Sequence, residues 1–195
     1  MIKKIIFASN NKGKIRELKD ILSSLGIEVV SQREAGFDIE ADETGTTFAE
    51  NSAIKAKAIY ELAKIPVLAD DSGLCIDALD GQPGVYSHRF AGENATDKEK
   101  CRYILEKLEN VSDEKRTARF ICDMCFIDEN GREHHAEGKC EGKIGREEKG
   151  NNGFGYDPIF VVGNRTLAEL EEAEKNQISH RAEALKKMKE ILKQF

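Results

Sequence analysis

The sequence predicts an α/β fold on a mixed sheet, and three observations carry that reading. The chain opens strand–helix–strand, with an apolar run at 4–8, helical spacing from Ile15 to Leu25 and a second run at 27–31; such alternation is typical of α/β folds. A second helical stretch at 48–64 leads into the apolar run Val67-Leu68-Ala69. Two long alternating stretches, 117–128 and 132–144, then flank Glu129-Asn130-Gly131, and Asn-Gly between such stretches is the strongest short hairpin signal. A hairpin inside an α/β chain makes the sheet mixed, not purely parallel.

Taken in order, residues 9–14 form a polar turn after the first strand. Ile15, Leu18, Ile21, Leu22 and Leu25 share a helical face, and Gly26 is the expected stop. Residues 32–46 are polar and acidic. Thr47-Phe48-Ala49-Glu50 has the capping-box pattern, and its helix runs through Ala53, Ala56, Ile59 and Ala63 until Pro66 ends it. The next strand is expected to stop at Asp70-Asp71, with 74–79 resuming as a separate apolar piece. Gly81-Gln82-Pro83-Gly84 is a loop by composition, and 87–94 shows no clear pattern. Residues 96–108 are helical, with Cys101, Ile104, Leu105 and Leu108 on one side. Residues 145–153 are a charged, glycine-rich loop. Residues 155–162 read as a strand, bent or at an edge because of Pro158. Residues 167–176 and 182–194 read as helices, Ser179 capping the second. No repeat, low-complexity tract or linker is visible, and 195 residues suit one domain or two closely joined lobes.

Composition narrows the function. Hydrophobic residues make up 39% and charged residues 34%, enough apolar content for a core in a soluble chain. A net charge of −6 argues against a general nucleic-acid binder, which shows a basic surface. No apolar run reaches the length of a membrane span, and 1–8 lacks the pattern of a secretory leader, so the expected location is cytoplasmic. Five cysteines, an odd number, are expected as reduced thiols. Cys122 and Cys125 stand three apart in an alternating strand and face opposite ways, so they read as core residues and not as a shared metal site. His134 and His135, also on opposite faces, are set aside likewise.

The stretch Val67 to Gly73 holds the strongest chemical signal. Two adjacent carboxylates at the end of an apolar run demand a cation, a lysine or water, because an unpaired buried carboxylate is costly. With Glu43, Asp70 and Asp71 offer oxygen ligands for a hard ion such as Mg²⁺, for which one or two carboxylates plus substrate phosphates suffice; alternatively Asp70 and Asp71 cap a turn. Ser9-Asn10-Asn11-Lys12-Gly13-Lys14 offers amides, a hydroxyl and two lysines at a helix start, a grouping suited to phosphate, although it is not a Walker A loop. Asn51 and Lys55 share a helix face; on local evidence Lys55 is more simply a surface lysine. Gly153-Phe154-Gly155-Tyr156-Asp157-Pro158 could present Phe154 to a flat ligand or bury it in a bulged strand. Lys175, His180 and Arg181 could grip oxygens or be solvated charges at a helix entry.

Taken together, these motifs, with 47–53, 69–74 and Ile178-Ser179-His180-Arg181, resemble the inosine/xanthosine triphosphate pyrophosphatases, and Gly81 to Arg89 resembles a further segment of that family. The resemblance implies an elongated α/β fold with a long mixed sheet, a cleft between two lobes, a homodimer, and Mg²⁺-dependent hydrolysis of ITP, dITP and XTP to monophosphate and pyrophosphate. By position it implies Asp71 as general base and, with Glu43, metal ligand, and Lys14 and Lys55 as catalytic cations. Ser9, Asn10, Asn11, Lys12, Gly13, Lys14 and Lys175 would contact phosphates; Ser72, Phe154, Gly155, Tyr156, Asp157, His180 and Arg181 would hold the nucleotide. Asp70, facing away from Asp71, is then expected to be structural or to orient a lysine. Other readings are a pyrophosphatase for modified pyrimidine triphosphates, a non-catalytic nucleotide sensor and, against the charge balance, a nucleic-acid module.

Overall fold

Seven strands form one mixed sheet in the order β2-β1-β3-β4-β5-β6-β7: β1 Lys4–Phe7, β2 Glu28–Ser31, β3 Val67–Ile76, β4 Thr117–Ile127, β5 Glu133–Ile144, β6 Phe160–Val162 and β7 Arg165–Thr166. The computed structural model describes residues 2–195, without the side chains of Asp20, Ile21 and Ser24; the inward placing expected of Ile21 lies outside the described residues. β1 pairs in parallel with β2 and with β3, Phe7 opposite both Ser31 and Leu68. β6 runs antiparallel to β5 and to β7. The helices are α1 Lys12–Leu22, α2 Phe48–Ala63, α3 Asp97–Lys107, α4 Glu172–Ile178 and α5 His180–Leu192. Among the described residues no helix is long and apolar enough to cross a membrane.

The chain divides into two compact units, one made of 1–71, 122–138 and 181–195, the other of 72–121 and 139–180. In the first, successive strand residues serve opposite faces. Ile5, Phe7, Leu68, Cys122, Met124 and Phe126 pack with α1 and α5. Ile6, Ala8, Val67, Ala69, Cys125 and Ile127 pack with α2. Burial on both faces explains why these strands read as continuous apolar runs. It also separates Cys122 from Cys125, as strand periodicity requires. In the second unit, Leu74, Ile76, Cys101, Ile104, Phe120, Phe160 and Leu167 share one core. There the buried Arg116 donates to the carbonyls of Leu108, Ile144 and Gly145, tying the end of α3 to β5.

The local signals explain most boundaries. Asn11 caps α1, and Gly26, in the left-handed region at φ 67°, ends the 3-10 turn Ser23–Leu25 that follows it. Thr47 and Glu50 form the predicted capping box of α2. Three expectations are corrected. β3 does not stop at Asp70-Asp71 but runs unbroken from Val67 to Ile76, because partners described below satisfy both acids within the strand. The strand expected at 155–162 is only Phe160–Val162; Pro158 lies in a 3-10 turn at Asp157–Ile159. The helix expected at 167–176 breaks, because two successive capping boxes, Thr166 with Glu169 and Glu171 with Glu174, start separate elements: a 3-10 turn at Leu167–Glu169, then α4.

Candidate active site

Strand alternation decides the fate of the two acids. Asp70 lies two residues from Leu68, on the face of α1 and α5. Asp71 lies two from Ala69, on the face of α2. Each meets a different set of partners.

Asp70 is 2% exposed. Lys14, from the first turns of α1, reaches its two oxygens at 3.1 and 2.9 Å. Arg181, in the first turn of α5, donates from Nε to Asp70 at 3.3 Å and from Nη1 to Glu17 at 2.5 Å. Two buried acids, Asp70 and Glu17, therefore face two cations, and a buried charge cluster persists only when balanced in this way. Burial opposes a charge on Asp70, but Lys14, Arg181 and Lys55 more than offset it and hold the carboxyl well below the ordinary aspartate range. The solvated-charge reading of Arg181 is thereby overturned: the residue is 1% exposed. Glu17 carried no motif in the sequence; its one signal was its place one turn beyond Lys14 on α1.

Asp71 meets α2. Lys55 Nζ lies 3.0 Å from Asp71 Oδ1 and 3.0 Å from Glu43 Oε1, so it is not the surface lysine that local evidence favoured. Asn51, one turn earlier, donates to Asp71 Oδ2 at 3.3 Å. The Asn51 side-chain oxygen accepts the Gly45 N–H at 2.8 Å, which draws the loop carrying Glu43 onto the helix. Gly45 is needed there: a Cβ would sit 2.6 Å from Asn51 Oδ1 and 2.7 Å from Glu50 Cβ. Burial raises the pKa of Asp71 and the Glu43 charge adds to that, against the opposing pull of Lys55. Lys55 is pushed the other way by burial, yet Asp71, Asp70 and Glu43 raise it overall, so it stays charged.

The loop at 9–14 is internally organised. Ser9 Oγ accepts the Asn11 N–H, and Asn11 Oδ1 accepts the Lys14 N–H, both at 3.1 Å. Lys12 and Gly13 thus lie in the first turn of α1, and Asn10 and Lys12 line an open depression with Arg16 and Lys19.

In the second unit Asp157 organises the aromatic loop. Its Oδ2 accepts the Phe154 N–H at 2.9 Å and the Lys175 ammonium at 2.8 Å. Lys175, 5% exposed, lies 4.5 Å from the Phe154 ring centroid, a cation–π distance. Gly153 has φ 75°, and a Cβ there would meet Asp157 Oδ2 at 2.1 Å, so no other residue fits that clamp. The Gly155 N–H donates to Asp97 at 2.7 Å. Tyr156 is buried and its hydroxyl donates to the Ser87 carbonyl at 2.8 Å, a use of the phenol within the fold. Phe154 itself is half-buried, as is Ser72 beside Asp71. The His180 ring stacks on Phe120, 4.8 Å between centroids at 14°.

Among the candidates drawn from the sequence, the structure pairs Asp70 with Lys14, Asp71 with Lys55 and Asp157 with Lys175. Sequence reasoning missed Glu17, Gly45 and Asp97, whose roles depend on neighbours remote in sequence. His134 and His135 meet different acids, Asp128 at 3.1 Å and Asp123 at 2.8 Å.

The same arrangement of elements is found in known proteins. The Ham1 family model matches residues 5–191. A dITP/XTP pyrophosphatase of Desulforamulus reducens is 51% identical over 191 residues, 97% of this chain and 95% of that protein. The structure of a HAM1 protein from Coxiella burnetii superposes with a TM-score of 0.90 at 45% identity, covering 100% of both chains. The Staphylococcus aureus Ham1 protein does so at 0.88 and 39%, covering 98% of each. Identity of this degree over nearly the whole length, with the same fold, places this chain in the Ham1 family.

Proposed function

We propose that this chain hydrolyses the triphosphates of deaminated purines, ITP, dITP and XTP, to the monophosphate and pyrophosphate, and so clears them from the nucleotide pool. The observation that carries the reading is the convergence of Asp71 and Glu43 on Lys55, in a chain whose full-length relatives in Desulforamulus reducens and Bacillus subtilis are named dITP/XTP pyrophosphatases.

Cleaving a phosphoanhydride needs positive charge on the phosphates, a positioned water and a base. Lys14 and Lys55 supply charge, and Ser9, Asn10, Asn11, Lys12, Gly13 and Lys175 add further phosphate contacts. Asp71 takes the proton from the attacking water as its oxygen bonds to phosphorus and the bond to the leaving phosphate oxygen breaks. Its raised proton affinity suits that task. Glu43 and Asp71 would hold Mg²⁺: two hard oxygen donors already converge on one cationic nitrogen, a donor set fit for an ion that keeps several waters. When bound, the ion adds positive charge against the phosphates. Asp70 orients Lys14 through its two short contacts.

Phe154 offers a face for the base, and Ser72 and the 154–157 loop hold the nucleotide. Hypoxanthine and xanthine carry an acceptor oxygen at the six position where adenine carries an amine, so a donor there selects them. The Phe154, Gly155 and Asp157 N–H groups already donate, to Asp157, Asp97 and the Phe154 carbonyl. The family resemblance assigns the discriminating donors to the side chains of His180 and Arg181, the latter while its Nε and Nη1 serve Asp70 and Glu17.

Pyrophosphate release with Mg²⁺ across ITP, dITP, XTP, ATP and GTP tests the reading. The first three should exceed ATP in kcat/KM by roughly two orders of magnitude or more, the scale set by a mismatched hydrogen-bonding site, and should exceed GTP, whose six-oxygen matches, on the strength of its two-amino group. Equal rates for all five would end the selectivity claim, and binding without turnover would favour a sensor.

A further inference from the structure

We propose that Cys125, Glu133 and His135 form a binding site for a borderline-soft divalent transition ion of the Zn²⁺ class, distinct from the Glu43–Asp71 pair. Cys125 lies on β4; Glu133 and His135 lie two apart on β5 and so on one face. One ligand atom from each lies within 4.8 Å of the others, the only such histidine, cysteine and carboxylate group of three among the described residues. In a tetrahedral Zn²⁺ site with bonds of about 2.0–2.3 Å the ligand atoms stand roughly 3.5 Å apart. A closure of at most about 1.3 Å therefore assembles the set, leaving a fourth position for water.

Three further observations support an ion there. The His135 Nδ1 lies 2.8 Å from Asp123 Oδ1, the outer carboxylate contact that orients a metal-bound imidazole and leaves Nε2 for the ion. On that side, Nε2 lies 3.9 Å from Glu133 Oε2. Asp123 is itself fixed, because its Oδ1 accepts the Ser52 hydroxyl from α2 at 2.6 Å. Glu133 and His135 also line an open depression of about 610 Å³ beside Gly45, Thr46 and Lys57, which opens these two ligands to ions from solvent. Lys57 pairs with Glu133 through the other oxygen, Oε1, at 2.9 Å, so Oε2 can turn to the ion. A thiolate and an imidazole select Zn²⁺ or Co²⁺ over Mg²⁺, which takes oxygen ligands.

The test is titration of the metal-stripped full chain with Co²⁺ in excess Mg²⁺, read by the thiolate-to-cobalt charge-transfer absorption. One Co²⁺ per chain should bind with that band, and one equivalent of Zn²⁺ should abolish it. Cys125→Ser should lose the band; a band that persists there overturns the proposal. Because Cys125 is buried and its variant could misfold, His135→Gln and Glu133→Gln, at partly exposed positions, carry the same test. Each should weaken Co²⁺ binding by roughly tenfold or more, the scale on which even outer contacts act. Unchanged affinity in both, or no thiolate band in the unsubstituted chain, refutes the site.

Discussion

Two neighbouring carboxylates should respond in opposite ways to the same conservative substitution. Asp70 belongs to a balanced buried cluster with Lys14, Arg181 and Glu17. Asp70→Asn removes one negative charge and leaves a net buried cation. Breaking a buried pair by removing one partner costs about 3–5 kcal/mol, a large share of the roughly 5–15 kcal/mol that stabilises a typical domain. Asp71 is different. Its pKa is raised in the fold, so its charge at neutral pH works against the native state. Asp71→Asn removes that cost and the repulsion from Glu43, and Lys55 keeps Glu43 as a partner. Its stability should stay within about 1 kcal/mol of the parent, while turnover falls about 10²–10⁴-fold, the worth of a general base. Urea denaturation at pH 7 gives the first quantity and pyrophosphate release the second. pH supplies the sign. The Asp70 pKa is depressed in the fold, so its stabilisation is full above the unfolded value near ~3.9 and is lost as pH falls toward the folded one. Asp70→Asn should therefore flatten the acid limb of the stability curve below about pH 4. If Asp70→Asn costs under about 1 kcal/mol, or if Asp71→Asn retains full turnover, the division of roles between the two faces of β3 is wrong.

Other substitutions probe the remaining geometry. Gly153→Ala places a methyl 2.1 Å from Asp157 Oδ2 and should release Lys175, raising KM for ITP more than it lowers kcat; unchanged KM would show that the loop does not hold the nucleotide. Gly45→Ala, clashing with Asn51 at 2.6 Å, should draw Glu43 away from Lys55 and raise the Mg²⁺ concentration for half-maximal rate several-fold, with little change in melting temperature. Arg181→Lys replaces a fork that serves Asp70 and Glu17 at once with a point charge. It should lower both thermal stability and the ITP-to-ATP preference, and an unchanged preference removes Arg181 from base recognition.

The sequence by itself determined what short-range chemistry can dictate. Helix α2 was legible because Thr47 and Glu50 lie three apart, and the β4–β5 hairpin because Asn130-Gly131 sits between alternating strands. The two acids were recognised as needing cations, since solvation alone forbids leaving them buried and bare. Which cations, and on which face, only the tertiary structure decided. Asp70 meets Lys14 from 56 residues away and Arg181 from 111, and no local pattern encodes a pairing of that range. Once those partners are in place, β3 has no reason to stop at its acids, and it continues to Ile76. Gly45, Gly153 and the cross-strand meeting of Cys125 with His135 follow the same rule: each is fixed by an atom that arrives from elsewhere in the fold.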